Sequence, residues 1–435
     1  MTDHQSWGRF PIAKQEVKYL RWRHEPLPPA VAGMPLLPYG NGRSYGDSCL
    51  NDGGILLDAS GLDRLISFDP ATGILCCEAG VLFSDILDFA VPRGWFLPVT
   101  PGTRFVTVGG AIANDIHGKN HHRAGTFGCH VRRFELLRSD GSRTVCSPQE
   151  NRELFAATIG GLGLTGVIVW AEFALMPVAG PLISTENIRF ENLEEFFTIS
   201  AASDADHEYT VAWIDCLARG SALGRGIYSS GNHRESSGMR LAPPRPLPFP
   251  FSPPFSLING MTLRAFNALY YRKQLGKREE RVCHYEPFFY PLDRILGWNR
   301  IYGRNGFLQH QCVVPPAAGP QAIREILERI ARSGSGSFLA VLKTFGERAS
   351  PGMLSFPRPG PTLALDFPNQ GKRTLDLLDR LDEIVGTAGG RVYPAKDARM
   401  SGRSFRSYFP EWVEFRKHMD PAFSSSFWRR AMEQE

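Results

Sequence analysis

Three glycine-rich stretches, at residues 40–54, 102–128 and 160–166, interrupt the first part of this 435-residue chain. Between them, apolar and β-branched residues bounded by turn signals predict short strands at 55–58, 65–69, 74–79, 134–137 and 143–145. Because glycine has no side chain, loops rich in it turn tightly and bring their backbone close to another group. The sequence therefore predicts a domain of short strands whose loops approach a bound ligand.

The charge and cysteine content exclude several other classes of protein. The excess of Lys and Arg over Asp and Glu, 49 against 44, is too small and too scattered for nucleic-acid binding. The 8 cysteines form no C-x-x-C pair, so we expect free thiols in a reducing compartment. The first residues lack the apolar core of a signal peptide, and no apolar run is long enough to span a membrane. We therefore expect a cytoplasmic protein whose membrane contact, if it has one, is peripheral and at the inner face.

The composition of the chain changes near residues 176–180. A strand pattern follows at 209–217, and then a proline-rich apolar stretch at 241–260. Proline is excluded from helix interiors and central strands, so we expect a loop at 241–260. Two interpretations of its phenylalanines and leucines stay open: a loop packed on the domain surface, or a flap over a lipid-like ligand or a membrane.

Residues 307–393 carry the clearest repeating pattern. Strand patterns at 307–315, 338–345, 362–367 and 391–393 alternate with two amphipathic helices, marked by apolar residues at 323–330 and 375–385. Their order is β-α-β-β-α-β, which is typical of a ferredoxin-like unit. We expect the aromatic and charged tail at 405–435 to be partly helical.

The first glycine-rich loop contains Gly40, Gly42 and Gly46, with Arg43 between them. This arrangement lets successive N–H groups face an anion, and the arginine adds positive charge. The spacing matches neither the dinucleotide fingerprint nor the Walker A motif, so the loop taken alone also fits an ordinary turn.

The second stretch places Gly109-Gly110 ahead of four histidines, at positions 117, 121, 122 and 130. The small residues suit backbone that packs against a flat cofactor. No cysteine or carboxylate completes a metal-ligand set with the histidines, so we expect no metal site.

A third glycine-rich loop, at 159–168, runs into a strand pattern, and the three loops belong to a longer set of motifs. The set comprises GRSYGD (42–47), PGTR (101–104), VTVGGAIA (106–113), DIHGKNHH (115–122), GLTG (163–166), WNR (298–300), GFLQ (306–309), LSFP (354–357) and AKDAR (395–399). These motifs resemble the flavoenzymes of the vanillyl-alcohol oxidase/p-cresol methylhydroxylase (PCMH-type) superfamily. Within it, they are most similar to the decaprenylphosphoryl-β-D-ribose 2-oxidase-like family.

The resemblance implies an α+β fold with two domains. A PCMH-type FAD-binding domain would occupy residues 1–178, completed by 391–435. An antiparallel-sheet substrate domain would occupy 179–390, carrying the ferredoxin-like β-α-β-β-α-β pattern and the proline-rich apolar loop 241–260.

The resemblance also implies FAD as the cofactor. Its binding residues would be Gly40, Asn41, Gly42, Arg43, Ser44, Tyr45, Gly46, Gly102, Thr107, Val108, Gly109, Gly110, Asn114, Asp115, Ile116, His117, Ile168 and Tyr393. Covalent members of the superfamily attach FAD through a histidine in the first loop, where this chain has Arg43-Ser44-Tyr45. We therefore expect non-covalent FAD.

By the same resemblance, the substrate-binding residues would be Lys119, Gln309, Gln311, Lys343 and Lys396, and the catalytic candidates Lys396, Tyr45 and His117. Two roles stay open for Lys396: a general base with a lowered pKa, or a cation that stabilises negative charge on the reduced flavin. His117 fits a packing and hydrogen-bonding residue under the flavin as well as a base.

The implied activity is FAD-dependent oxidation of a CH–OH group. The substrate would be the 2-hydroxyl of a polyprenylphosphoryl pentose such as decaprenylphosphoryl-β-D-ribose, and the product a 2-keto sugar. A separate NAD(P)H-dependent keto-reductase would complete the epimerisation to arabinose for cell-wall arabinan synthesis. Two alternatives stay open: a soluble alditol or aldonolactone oxidase of the same superfamily, and a flavin- or lipid-binding protein without turnover.

Overall fold

The computed structural model describes residues 4–29, 31, 33–236, 238–239, 241–242 and 245–433. Pro243 and Pro244 of the predicted loop, and the outermost residues of the predicted 1–178 and 391–435 segments, lie outside the described residues. The α-helices are Phe83–Ala90, Val108–Ala113, His121–Ala124, Arg152–Thr158, Leu193–Ser203, Gly260–Lys273, Tyr285–Phe289, Gly319–Ser333, Lys372–Thr387, Gly402–Tyr408, Trp412–His418 and Ser426–Glu433. Short 3₁₀ helices lie at Asp47–Cys49, Val91–Arg93, Phe127–His130, Gly220–Ala222, Trp298–Tyr302 and Pro394–Lys396.

Two sheets are built from the N-terminal part of the chain. A parallel sheet contains, in spatial order, Glu16–Tyr19, Ile55–Asp58 and Leu36–Tyr39. An antiparallel sheet contains Leu65–Asp69, Ile74–Glu78, Val167–Ala174, Val131–Leu137 and Arg143–Cys146. The strands predicted in this part of the chain are confirmed, and those at 55–58 and 65–69 have the predicted bounds. They could be predicted because turns and apolar alternation are local signals.

A larger antiparallel sheet of eight strands occupies the middle and C-terminal part of the chain. In spatial order its strands are Arg278–His284, Leu182–Phe190, Gly226–Arg234, Tyr209–Ile214, Ala340–Phe345, Gly360–Pro368, Phe307–Val313 and Arg391–Val392. Helices Gly319–Ser333 and Lys372–Thr387 pack against this sheet and against each other. Their inward side chains, such as Ile323, Ile330 and Leu381, recur at helical spacing and are fully buried. Two-residue strands also pair, Met176–Pro177 with Trp95–Phe96 and Leu247–Pro248 with Ile295–Leu296.

Several elements of the middle part are absent from the sequence predictions. Helix Gly260–Lys273 has no inward apolar stripe, since it buries only Leu263 and Asn267. The edge strand Arg278–His284 is dominated by charged residues, so its sequence gives no alternating apolar pattern. In the part of the chain that the structure describes, we find no helix that is both long and apolar enough to traverse a bilayer.

Candidate active site

A cavity of about 350 Å³ lies where the glycine-rich stretches meet the eight-stranded sheet. One wall of the cavity comes from the glycine-rich stretches, with lining residues in Gly40–Tyr45, 100–119 and 162–168. Side chains of the eight-stranded sheet form the opposite wall. The volume is in the range of small-molecule binding sites, whose walls are mostly apolar with a few convergent polar groups.

The cavity brings together most of the predicted site residues. Of the predicted cofactor residues, its lining includes Gly40, Asn41, Gly42, Arg43, Ser44, Tyr45, Gly102, Thr107, Gly109, Gly110, Asn114, Ile116, His117, Ile168 and Tyr393. All five predicted substrate residues, Lys119, Gln309, Gln311, Lys343 and Lys396, line it as well. Residues more than 300 positions apart in the sequence thus share one cavity.

Three predicted cofactor residues lie outside the lining. Gly46 packs against the C-terminal segment, because a Cβ at this position would lie 1.6 Å from the carbonyl oxygen of Asp397. Val108 is fully buried in the apolar core. The buried carboxylate of Asp115 accepts hydrogen bonds from the Gly128 N–H and from two serine hydroxyls, so it ties neighbouring segments together.

The first glycine-rich loop has little room for side chains. A Cβ on Gly40 would lie 2.3 Å from Thr107 Oγ1. Gly42 has φ +56°, and its Cβ would lie 2.1 Å from the Tyr39 hydroxyl. The Arg43 guanidinium stacks 4.1 Å from the centroid of the Trp7 ring. Glycine is therefore required for the loop's close packing, and the arginine is held in place by an aromatic face.

The C-terminal return, residues 393–397, closes over this loop. The Tyr45 N–H donates to the Ala395 carbonyl at 2.9 Å. Arg430 Nη2 lies 2.8 Å from Asp47 Oδ1 and 2.9 Å from Asp397 Oδ2, so one guanidinium links the loop and the return. These contacts place Lys396 against the N-terminal wall.

Three lysines line the cavity. Burial lowers the pKa of Lys119 to about 8. Burial, followed by the charges of Lys119 and Lys396, lowers the pKa of Lys343 to about 7. Burial also lowers the pKa of Lys396 to about 7, although the Asp366 carboxylate opposes this. Each amine would gain from a negatively charged ligand, so the cluster favours an anion in this cavity.

Lys396 lies between an aromatic ring and a buried acid. Its Nζ atom lies 3.8 Å from the centroid of the Tyr45 ring. The Asp366 side chain is 1% exposed and accepts a hydrogen bond from Gln309 Nε2 at 2.6 Å. Burial raises the pKa of Asp366 to about 7 against the opposing hydrogen bond from Gln309. Burial and then Asp366 raise the pKa of Tyr45 well above its usual value, so Tyr45 is a neutral phenol.

His117 is engaged through both ring nitrogens. Nδ1 lies 3.1 Å from Lys343 Nζ, and Nε2 lies 2.9 Å from Gln311 Nε2. Burial, followed by the charge of Lys343, lowers the pKa of His117 well below its usual value. A neutral, doubly engaged imidazole is suited to positioning its neighbours. Within the described ranges, no group of three or more His, Cys, Asp or Glu side chains is placed to hold a metal ion.

The lining also contains residues that sequence reasoning missed: Trp7, Asp293, Trp298, Thr362 and Asp366. An aspartate at the end of the apolar pattern Thr362-Leu-Ala-Leu-Asp366 is a signal that could have indicated a functional carboxyl group. Trp7 carries no such signal, because it reaches the cavity only through tertiary packing.

Comparison with known proteins agrees with this geometry. Residues 30–147 match a family described as FAD binding domain. The chain is 38% identical over 414 residues to decaprenylphosphoryl-beta-D-ribose oxidase of Mycolicibacterium smegmatis, which covers 92% of this chain and 89% of that protein. The chain belongs to the decaprenylphosphoryl-ribose oxidase family of FAD-dependent oxidoreductases. The family and enzyme class predicted from the sequence, an FAD-dependent oxidoreductase acting on CH–OH groups, are confirmed.

Two further relatives have different coverage. An uncharacterized protein of Streptomyces coelicolor is 36% identical over 363 residues, which is 79% of this oxidoreductase and 98% of the relative. D-lactate dehydrogenase of Anaerostipes hadrus is 28% identical over 151 residues, 33% of this chain and 31% of that enzyme.

The residues of this oxidoreductase fit FAD. Gly102, Gly109 and Gly110 present bare backbone to the cavity, and a Cβ on Gly102 would meet no atom within 4 Å. Such a wall accepts a flat ring system, and Arg43 together with the N–H groups of its loop suits a pyrophosphate. The residues that would hold FAD are therefore those of the glycine-rich wall and the C-terminal return.

Proposed function

We propose that this oxidoreductase oxidises the 2-hydroxyl of a polyprenylphosphoryl pentose, such as decaprenylphosphoryl-β-D-ribose, to a 2-keto sugar. The observation that carries the proposal is the cluster of Lys119, Lys343 and Lys396 in a cavity that also fits FAD. The amines of Lys119 and Lys343 match the phosphate of such a substrate. The relative that is 38% identical over 92% of the chain bears the name of this activity.

Oxidation of an alcohol removes a hydride from carbon and a proton from oxygen. Bound FAD supplies the hydride acceptor. We assign the proton to Lys396, because a pKa of about 7 leaves a large fraction of this amine neutral near neutral pH, as a general base requires. The Tyr45 ring packs against the amine of Lys396 and holds it in place. His117 and Gln311, which contact each other, would orient the sugar.

We also propose that FAD is held without a covalent bond. Among the described lining residues, His117 is the one histidine, and both of its ring nitrogens are engaged. Burial raises the pKa of Cys49, which also lines the cavity, to about 12, so its thiol stays protonated and unreactive. After acid precipitation, the yellow colour should remain in the supernatant, and a yellow pellet would contradict this proposal.

The division into domains remains a proposal too: an FAD-binding domain of residues 1–178 with 391–435, and a substrate domain of 179–390. The isolated bridge between Leu36 and Phe423 supports the return of the tail to the N-terminal sheet. The strand order Arg391–Val392, Phe307–Val313, Gly360–Pro368, Ala340–Phe345 supports a ferredoxin-like unit within the larger sheet.

The product chemistry requires a second enzyme. A 2-keto sugar becomes the epimeric alcohol only when a hydride is delivered to the opposite face of the carbonyl group. We therefore propose a separate NAD(P)H-dependent keto-reductase as the functional partner, with arabinose for cell-wall arabinan as the end product.

The test uses the purified protein loaded with FAD under anaerobic conditions. Addition of a polyprenylphosphoryl ribose should abolish the visible flavin absorbance and yield a product lighter by two hydrogen atoms. Bleaching by alditols or aldonolactones but not by the lipid-linked sugar would instead identify a soluble sugar oxidase. Retention of FAD without bleaching by any of these compounds would identify a binding protein without turnover.

A further inference from the structure

A long stretch of the chain outside the cavity lacks acidic residues altogether. Residues 236–278 contain no Asp or Glu but seven Lys and Arg, although the whole chain has 44 acidic residues. Positive charge in this stretch is therefore not balanced by neighbours in the sequence. The stretch includes the whole of the proline-rich loop 241–260 and of helix Gly260–Lys273.

Helix Gly260–Lys273 buries very little of its surface. Leu263 and Asn267 are its buried residues, and Asn267 Nδ2 donates to Asp215 Oδ1 at 2.8 Å. The helix begins with a capping box at Asn259, so its start is fixed by its own sequence. The helix is therefore held to the rest of the protein by few buried side chains, one of which is polar.

The outward face of the same helix is apolar. Met261, Ala265 and Leu269 follow one another at intervals of four residues, which places them on one face. Met261 is 81% exposed and Leu269 73% exposed, and Leu275 just beyond the helix is 85% exposed. An ordinary surface helix turns its polar face to water, so this arrangement requires another explanation.

Basic residues flank this apolar face. Arg264, Arg272 and Lys273 are exposed, and no carboxylate in the described part of the chain forms an ion pair with them. Lys277 and Arg278, by contrast, pair with glutamates elsewhere in the fold. The helix therefore offers unpaired cations beside exposed apolar side chains.

The proline-rich loop adds further exposed apolar side chains. Phe251, Phe255 and Leu247 are largely exposed, and strand Leu247–Pro248 pairs with the exposed strand Ile295–Leu296. We call these side chains, together with Met261, Leu269 and Leu275, the apolar patch.

Both parts of the apolar patch adjoin the wall of the cavity. Strand Ile295–Leu296 lies in the sequence between Asp293 and Trp298, which line the cavity. On the helix, Phe266 packs 4.7 Å from the Phe338 ring, next to the cavity-lining Leu339. A surface that bound the patch would therefore lie close to the site.

We infer that the apolar patch docks this protein on the surface of an anionic lipid bilayer. Met261 and Leu269 would enter the boundary between headgroups and acyl chains, and Arg264, Arg272 and Lys273 would face the anionic headgroups. A second copy of the same patch is a poor alternative, because it would place arginine against arginine. The inference goes beyond the proposed oxidation and does not depend on which sugar is oxidised.

The experiment measures sedimentation of the full-length, FAD-loaded protein with vesicles, without any substrate. We expect binding to phosphatidylcholine vesicles that contain phosphatidylglycerol, weaker binding without it, and loss of binding as salt is raised. The double variant Met261→Ser/Leu269→Ser should have a partition coefficient for vesicles that is at least about tenfold lower than that of wild type. Val413→Ser, an exposed apolar position on helix Trp412–His418, is the matched control and should bind like wild type.

Both variants should retain wild-type FAD content and melting temperature, since the altered side chains are exposed. Equal vesicle binding by wild type and the double variant, or no preference for anionic vesicles, would overturn the inference. Self-association that the double variant abolishes, without vesicle binding by wild type, would identify an interface between copies and would also overturn it. Because no substrate is present, any of these results leaves the proposed oxidation standing.

Discussion

The Nζ atom of Lys396 lies 3.8 Å from the centroid of the Tyr45 ring. The two residues come from opposite ends of the chain, and the hydrogen bond from the Tyr45 N–H to the Ala395 carbonyl fixes their spacing. The aromatic face favours the charged amine, whereas burial favours the neutral one. Burial, opposed by the Asp366 carboxylate, lowers the pKa of Lys396 to about 7, so this lysine changes its protonation state near neutral pH.

Replacing Lys396 by methionine tests its chemical role. Methionine keeps an unbranched side chain of similar size but removes the amine, so FAD should remain bound. We expect the rate of flavin reduction by substrate to fall about 100-fold or more, the usual contribution of a general base. Anaerobic stopped-flow absorbance measures this rate. Lys18→Met, a change at an exposed lysine, is the control, and a Lys396→Met rate equal to that of the control would exclude Lys396 as the base.

The pH dependence of flavin reduction separates the two roles of Lys396. A base must be neutral, so the rate should rise as pH increases through about 7. Asp366→Asn removes the carboxylate that raises the pKa of Lys396, so the midpoint of the profile should move to lower pH. Rate profiles of wild type and variant across this range measure both effects. A rate that falls through the same range would show that the charged amine is the active form.

The strands of the N-terminal sheets could be predicted from the sequence because their signals are local. Strands Leu65–Asp69 and Ile74–Glu78 are joined by the turn Pro70-Ala-Thr-Gly73 and pair antiparallel, as such a short turn indicates. Helix Gly260–Lys273 could not be predicted in this way, because its apolar residues face outward instead of into a core.

The site residues that belong to sequence motifs could be predicted, whereas those brought to the cavity only by tertiary packing could not. Gly40–Tyr45 and His117 line the cavity as their motifs indicate, and so does Lys396. Trp7 joins them only because its ring lies under the Arg43 guanidinium, a contact that no spacing in the sequence encodes. Asp115, although part of a motif, turns its carboxylate to Gly128, away from the lining, with φ +41°.

Alanine at Gly46 should separate the C-terminal return from the glycine-rich loop. Its Cβ would lie 1.6 Å from the Asp397 carbonyl oxygen, which is backbone and cannot rotate away. We expect a lower melting temperature and loss of FAD during purification, measured by thermal unfolding and by the ratio of flavin to protein absorbance. Gly386→Ala, on helix Lys372–Thr387 and outside the cavity lining, is the matched control for stability, because its Cβ would meet only the Tyr408 hydroxyl, at an ordinary contact distance of 3.8 Å. Equal melting temperatures for the two variants would contradict the proposed closure.

Arg430 should stabilise the same closure through charge. Its guanidinium contacts Asp47 at 2.8 Å and Asp397 at 2.9 Å, and both carboxylates are buried. Arg430→Met leaves these two acids without their shared partner, which should lower the free energy of unfolding by about 3 kcal/mol. Urea unfolding followed by tryptophan fluorescence measures the change.

The control for Arg430 is an arginine in an exposed ion pair. Arg332 contacts Glu328 at 2.8 Å on the surface of helix Gly319–Ser333. Its replacement by methionine should change the free energy of unfolding by no more than about 0.5 kcal/mol, because solvent screens exposed pairs. Burial raises the pKa of Asp47, against the opposing hydrogen bond from Arg430. Lower pH protonates Asp47 and removes its buried charge, so it should narrow the difference in unfolding free energy between Arg430→Met and wild type. If the difference in unfolding free energy between Arg430→Met and wild type stayed constant as pH falls, Arg430 would act by packing alone.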